Sequence, residues 1–280
     1  MAGVNLAEKY AAKVDERFKL KSLTEAFVNH DYTWEGVKTL HVYSIPTVAL
    51  NDYDRTAASN RYGTPAELED SVADYVLSQD KAFTFIIDKG NNVDQMNVKG
   101  AGKALQREID EVITPTRDAY RLRQIAQAAV DNSHFASAAV TAANAYSKFL
   151  DGQKTLDNLK VPIAGRVAAI SATFYSLIKQ DSTFIKSGDL SQKMLVNGQV
   201  GEIDGVKLIR VPDSYLPTNC LFVITHPSVT VAADKLAEYK VHDNPPGING
   251  NLVEGRVYYD AFVLDAKKNG AYAHFSSGSM

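Results

Sequence analysis

The chain has 280 residues, a formal net charge of −3, 45% hydrophobic residues and a single cysteine, Cys220. That length buries a sizeable core in one large domain or two modest ones. The interspersed charges exclude the concentrated basic footprint of a nucleic-acid reader, and a lone cysteine excludes a disulfide framework within the chain, which fits folding in a reducing cytoplasm. No apolar run approaches the ~18 residues of a membrane span, and the N-terminus lacks the apolar region of a secretory signal.

In chain order, residues 5–28 read as helix, with Leu6, Tyr10, Val14 and Phe18 on one narrow face. Ser22-Leu23-Thr24-Glu25 matches a capping box, which predicts a break and a second short helix. Such an arm has to lie on something, either its own domain or a neighbouring chain. Residues 32–88 then read as one long two-stranded excursion. VKTLHVYSIPTVALNDYDR is β-rich, with Pro46 marking an edge or an interruption. Thr64-Pro65-Ala66-Glu67 is a helix start that the following residues limit to one turn at most. Ala73, Tyr75 and Leu77, and later Phe83, Phe85 and Ile87, alternate with polar neighbours as strands do. An isolated hairpin is marginal in water, so Trp34, Tyr43, Tyr53, Tyr62 and Tyr75 predict an assembly partner.

Residues 94–131 carry the strongest periodicity. Val98, Ala101, Leu105, Ile109 and Val112, then Tyr120, Ile125 and Ala129, keep helical spacing, with a kink at Pro115. A helix of about 50 Å is a strut rather than a core filler. Beyond it, residues 140–158 predict a helix, RVAAIS a strand, SATFYSLIKQ a helix, KLIRVPD and CLFVITHPSV strands, and VAADKLAEYK a helix. NPPGINGNLVEG reads as a loop, and GRVYYDAFVLDAKKNGAYAHF as two strands joined by a Lys-Lys-Asn-Gly hairpin turn.

Chemistry-bearing constellations do not emerge. KGAGKAL at 99–105 lacks the first glycine of a phosphate loop, since Asn97 stands there, and Ala104 replaces its Ser or Thr. His30, His41, His134, His226, His242 and His274 have no paired ligand spacing. Asp52 and Asp54 fit a solvated turn before a cation site, and Cys220, inside CLFVIT, reads as a buried small hydrophobe. In GQVGEIDGVKLIRVPD, Gly198 and Gly201 permit positive φ and Asp204-Gly205 is a strong turn dipeptide. No helix follows to offer its N-terminus to a phosphate, so these glycines shape a backbone. No catalytic residue, cofactor or metal is expected.

The order of the parts carries more information than any one of them. VYSIPTVALNDYDR with RYGTPAEL and LSQDKAFTFIIDKGN, the DQMNVKGAGKALQREIDEVITPTRDAYRL run with Asp118 and Tyr120, VPIAGRVAAIS, GQVGEIDGVKLIRVPDSYLP with FVITHPSV, and GRVYYDAFVLDAKKNGAYAH follow one another between about 36 and 270. That series resembles the major capsid proteins of tailed bacteriophages with the Hong Kong 97 fold. The resemblance implies an α+β fold: an N-terminal arm at 1–31, an extended β-hairpin loop at 32–90, a peripheral domain with a spine helix at 91–135 and 250–280, and an axial α/β domain at 136–249. It implies hexamers and pentamers of this chain closing into an icosahedral shell around double-stranded DNA, contacted non-specifically, in a virion made in the host bacterial cytoplasm. It also implies scaffolding, portal and cement proteins as partners, and no membrane. A mildly negative chain fits a shell whose DNA must be packaged and released. An encapsulin-like nanocompartment shell is the alternative of the same fold, and a soluble α+β enzyme the alternative of another class. Tyr53, Arg55 and Tyr62 near the loop tip have interface composition and are the candidate inter-subunit contacts.

Overall fold

The computed structural model describes residues 21–32, 39–94, 99–182 and 199–278. A 3-10 turn at Glu25–Phe27 precedes β1 (Thr39–Ser44), β2 (Ser71–Val76), β3 (Gln79–Asp88), α1 (Lys89–Asp94), α2 (Ala101–Glu108), a π turn (Ile109–Ile113) and α3 (Thr114–Asp131). There follow β4 (Phe135–Ser137), α4 (Ala145–Asn158), β5 (Val167–Ser171), α5 (Ala172–Gln180), β6 (Gln199–Ile203), β7 (Val206–Val211), β8 (Cys220–Thr225), β9 (Thr230–Asp243), β10 (Gly250–Val263) and β11 (Ala271–Phe275). The strands form a two-stranded sheet β1-β2, a three-stranded sheet β3-β10-β9 and a six-stranded sheet β4-β11-β8-β5-β7-β6.

The six-stranded sheet is covered on both faces. On one face Leu122, Ile125, Ala126 and Ala129 of α3, with Phe27 and Val28, pack on Ala169, Val223 and Ala273. On the other, Phe149 and Leu156 of α4 and Phe174 and Ile178 of α5 pack on Ile170, Phe222 and Ile224. The Phe222 ring lies 5.4 Å from Phe149 and 4.7 Å from Phe174. Burial on both faces is why β5 and β8 read as unbroken apolar runs. Asp204 (φ 48°) and Gly205 (φ 78°) make the tight turn joining β6 to β7, while Gly201 (φ 130°) sits at a register shift within β6 rather than in a second turn. Gly198 lies outside the described residues.

The three-stranded sheet turns one face to the long helix. Ile109, Ile113 and Tyr120 meet Phe83, Tyr239, Val257 and Tyr259 there. A Cβ on Gly255 would lie 2.2 Å from the Phe83 ring and 2.9 Å from that of Tyr239, so only glycine lets both rings cross the strand.

Helical backbone runs through residues 101–131, about 46 Å at 1.5 Å per residue. The π turn comes just before Pro115, which has no N–H to give and whose ring crowds the preceding turn. Its wider winding moves the helical phase. Val112, expected on the buried face, is 48% exposed, and Ile113 takes the inward place at 8%. Gly100 is the N-cap and Gly102 lies in the first turn, so KGAGKAL serves as a helix start. Val98 lies outside the described residues.

Four expectations are corrected. VAADKLAEYK is a strand: β9 pairs antiparallel with β10 along nearly its whole length. Its Ala, Lys, Leu and Glu favour helix weakly, and a ladder partner of equal length outweighs that preference. The Lys-Lys-Asn-Gly segment is no hairpin turn. It lies in a 3-10 turn, Asp265–Gly270, from which β11 crosses to the six-stranded sheet between β4 and β8. All of Ala271–Phe275 is buried, and only a central strand offers that. Residues 32–88 are not one hairpin: β1 pairs with β2, but β3 pairs with β10. Phe83 and Ile87 need a covered face that a free excursion lacks. Finally, of the helix expected at 5–28, residues 21–28 contain only the 3-10 turn, and positions 1–20, like Trp34, lie outside the described residues.

Two predictions follow from this packing. Gly255→Ala is expected to cost about 1–3 kcal/mol in urea unfolding, with Phe83→Leu recovering part of it by shortening the obstructing side chain. His274 is fully buried, donates Nε2–H to the Ala138 carbonyl at 3.0 Å and stacks 5.0 Å from Phe222. Burial holds its pKa below the ordinary 6.5, with Lys148 and Asp151 the charged groups facing it. The unfolded chain therefore takes up this proton first, and stability present above pH 6.5 declines as pH falls below it. His274→Phe is expected to flatten that decline when unfolding free energy is measured from pH 7.5 to 5.5.

Candidate functional site

The long helix carries a polar clamp on an otherwise apolar face. Asp118 and Arg121 share that face with Leu122 and Ile125, and all four are buried. Asp118 accepts from Ser22 Oγ at 2.8 Å, the Leu23 amide at 2.8 Å and Thr24 Oγ1 at 2.5 Å. Arg121 donates to Thr24 Oγ1 at 3.2 Å, to Glu25 at 2.7 Å and to Asp234 of β9 at 3.4 Å. Arg117 reaches the other Asp234 oxygen at 3.2 Å. Burial raises the Glu25 pKa, but the Arg121 hydrogen bond and charge, helped by His30, outweigh it and hold the carboxyl below its ordinary value.

The hydroxyls of the expected capping box are thus turned mainly to Asp118, and Thr24 makes no cap hydrogen bond. Beyond the clamp, the Asn29 amide donates to the Thr230 carbonyl and the Ala232 amide to the Asn29 carbonyl, both at 2.9 Å. Residues 22–29 are therefore docked on their own chain.

A second buried carboxylate, Asp260 of β10, holds the junction between β2 and β3. It accepts from the Ser78 amide at 2.7 Å, Tyr120 OH at 2.6 Å and the Ala261 amide at 2.8 Å. Burial and this carboxylate push the Tyr120 hydroxyl pKa up to about 12. The inward side of the β1-β2 hairpin rests on the body here: Leu77 and Ala233 are buried, with Leu40, Tyr75 and Phe262 packed around them.

Past Ser44, two residues before Pro46, the hairpin loses its ladder. Residues 45–70 form turns and extended chain, and no helix forms at Thr64-Pro65-Ala66-Glu67. Ile45, Val48, Leu50 and Leu68 are exposed there, continuing an outward hairpin face that shows Tyr43, Val72 and Val76. The tip has internal order. Asp54 N donates to the Arg61 carbonyl at 3.1 Å, and Gly63 N to that of Asn60 at 2.8 Å. Asp54 Oδ1 accepts from Thr56 Oγ1 at 2.6 Å, Thr56 N at 2.8 Å and Ala57 N at 3.2 Å, which lowers its pKa and gives it the role of a turn cap rather than a metal ligand. Gly63 (φ 96°) closes against Asn51, where a Cβ would meet the side-chain nitrogen at 2.5 Å.

Of the sequence-predicted contacts, Tyr53 and Tyr62 come together edge to face at 4.9 Å, while Arg55 is exposed on the turn between them. Cys220 is buried and its pKa is pushed up to about 12 by desolvation, so it is held as a thiol. Among the described residues there is no group of three or more His, Cys, Asp or Glu placed to hold a metal, and no helix is long and apolar enough to cross a membrane. Sequence reasoning missed the clamp of Asp118, Arg121 and Asp234, and the separate buried carboxylate of Asp260. The legible signal was a charged pair three residues apart on the same face as Leu122 and Ile125.

Asp118→Ala removes an acceptor from three donors inside the protein. The expected loss is about 3 kcal/mol or more, read as a drop in Tm of roughly 6–12 °C. Glu25→Gln, at a half-exposed pair, is expected to cost under about 1 kcal/mol. Because the folded pKa of Glu25 is depressed, its contribution is present at neutral pH and fades as pH falls below 4.5, the ordinary value. Comparing the two acid-unfolding curves measures it.

No family model matches the chain, and no curated protein matches it by sequence. Solved structures do match. The capsid structure of the cyanophage P-SCSP1u is similar with a TM-score of 0.74 at 14% identity, over 99% of this chain and 94% of that one. The mature capsid asymmetric unit of bacteriophage PhiM1 gives 0.72 at 12% identity, over 98% and 94%. A structure from Mycobacterium phage Che8 gives 0.68 at 16% identity, over 98% of both chains. Across almost its whole length, this chain has the fold of phage capsid structures.

Proposed function

We propose that this chain is the major capsid protein of a tailed phage, a non-catalytic coat subunit whose copies build the icosahedral shell around double-stranded DNA, and that it resides in the virion. Hexamers and pentamers are the assembly units, with scaffolding, portal and cement proteins as partners and DNA contacted non-specifically. Two things support this reading together: nearly full-length likeness to phage capsid structures, and an apolar loop that one copy cannot cover. The loop carries the argument. Ile45, Val48, Leu50 and Leu68 are exposed on a segment that projects from a hairpin rooted at Leu77 and Asp260, and so many exposed large apolar side chains on one loop mark a partner.

We assign the projecting unit to residues 39–77, since β3 belongs to the three-stranded sheet. The axial unit spans about 136–226 rather than reaching 249, because β9 pairs with β10. The peripheral unit takes residues 79–135 and 230–263, and residues 1–31 form the arm. Tyr53, Arg55 and Tyr62 are placed at the contact with a second copy, with the paired tyrosine rings as its rigid part.

Sedimentation velocity and negative-stain microscopy of the full chain are expected to reveal shells, rings or other very large particles. A clean monomer at every concentration and salt tested, with or without co-expressed scaffold, overturns the proposal. Leu50→Asp, or deletion of residues 50–64, is expected to abolish regular particles while leaving the subunit's Tm within about 2 °C, because these residues support nothing in their own chain. Unchanged particles would remove the loop from this role.

A further inference from the structure

A second surface feature lies far from the loop. The turn joining α4 to β5 presents Pro162, Ile163 and Ala164, three apolar residues in a row at the surface, with Ile163 60% exposed. Its shape is held from inside. Arg166 is buried to 1% exposure, yet its guanidinium serves this turn: Nε donates to the Pro162 carbonyl at 2.9 Å, and Nη2 to the Val161 carbonyl and the Asp157 carboxylate, both at 2.7 Å. Lys160 (φ 60°) and Gly165 (φ 86°) close the two ends in left-handed conformations, a strained choice for a lysine. Single exposed apolar residues are ordinary, but three on a turn fixed by a buried arginine form a preorganised knob.

A hollow lies at the other end of the same strand. β5 leaves the knob at Val167 and ends at Ser171, roughly 13 Å away, on the wall of a cleft of about 740 Å³. Leu216, Pro217 and Leu221 line it with Thr218, and Asp213 and Arg123 contribute its charges. Asp213 accepts from Thr173 N at 3.2 Å and Thr173 Oγ1 at 2.7 Å and has no basic partner among the described residues. Lys160, beside the knob, has no acidic partner among them. One copy cannot bring the two ends of its own strand together, whereas two copies can. Unlike patches at opposite ends of one element make a head-to-tail contact, which closes into a ring when the rotation between copies closes.

We infer that the 160–165 turn of one copy seats in the 213–221 cleft of the next copy, with Lys160 beside Asp213, as a ring-forming contact separate from the extended loop. The inference rests on the coat-subunit reading above.

The test is cysteine crosslinking in the full chain, in a Cys220→Ala background, with Ile163→Cys and Thr218→Cys together and singly. On oxidation of assembled particles, the double variant is expected to give a ladder of covalent oligomers on non-reducing gels, since each copy carries both halves, while each single variant stays monomeric. Particles without a ladder, or crosslinking by Ile163→Cys alone, overturn the inference and leave the coat reading standing. Failure of the unsubstituted chain to assemble at all removes that reading and this one with it. Independently, Ile163→Asp is expected to raise the protein concentration needed for particles at least about tenfold without moving the Tm. An unchanged requirement overturns the proposed contact.

Discussion

The Asp118 carboxylate is the interaction on which the rest of this structure leans. A carboxylate buried on the apolar face of a helix is costly unless its oxygens are satisfied. The three donors that satisfy it come from Ser22, Leu23 and Thr24, nearly a hundred residues earlier. Docking them sets Phe27 and Val28 into the core beside Leu122 and Ile125, and lays Asn29 against β9. Arg121 extends the network by donating to Thr24, itself a donor to Asp118, and by reaching Asp234. Hydrogen bonds linked in this way polarise one another in a low-dielectric interior. The clamp thus ties two separate parts of the chain, residues 22–25 and Asp234 of β9, to one turn of one helix.

The helix that carries the clamp works as a strut because its two halves face different partners. Ile109 and Ile113 meet the three-stranded sheet, and Leu122 to Ala129 meet the six-stranded one. A single straight α-helix keeps one phase along its length. The π turn before Pro115 shifts that phase, so the residue the proline would have disturbed becomes the place where the helix changes partner. Asp260 does for the projecting hairpin what Asp118 does for the arm, fixing Ser78 and Tyr120 at the point where chain leaves the body. Both carboxylates meet hydroxyl and amide donors rather than exposed cations, so their hold is geometric and weakly sensitive to salt.

This arrangement divides the protein into a well-packed body and surfaces that the body does not need. The loop tip keeps its shape through the Asp54 cap and the Tyr53–Tyr62 pair, and the 160–165 turn keeps its shape through Arg166. In both cases polar groups organise main chain so that apolar side chains can point away from it. Main chain fixed in advance at both places lowers the ordering cost of any contact these surfaces make.

Much of the fold was legible from the order of residues. The unbroken apolar runs of β5 and β8, the alternation of Phe83 and Ile87, the Asp204-Gly205 turn and the helical repeat through Leu122 and Ile125 are local patterns, and local sterics with solvent exclusion are enough to read them. The serial order of segments likewise points to a capsid fold. Tertiary structure alone decided the rest. It made a strand of VAADKLAEYK because β10 lay alongside, sent β11 away from β10 because its two apolar faces needed a central position, and drew β3 out of the hairpin because its rings needed a helix to cover them. It also made Asp118 and Asp260 structural centres. Each is an ordinary polar residue in sequence, and what distinguishes it is a partner distant in the chain, a pairing set by long-range packing and not by any local spacing.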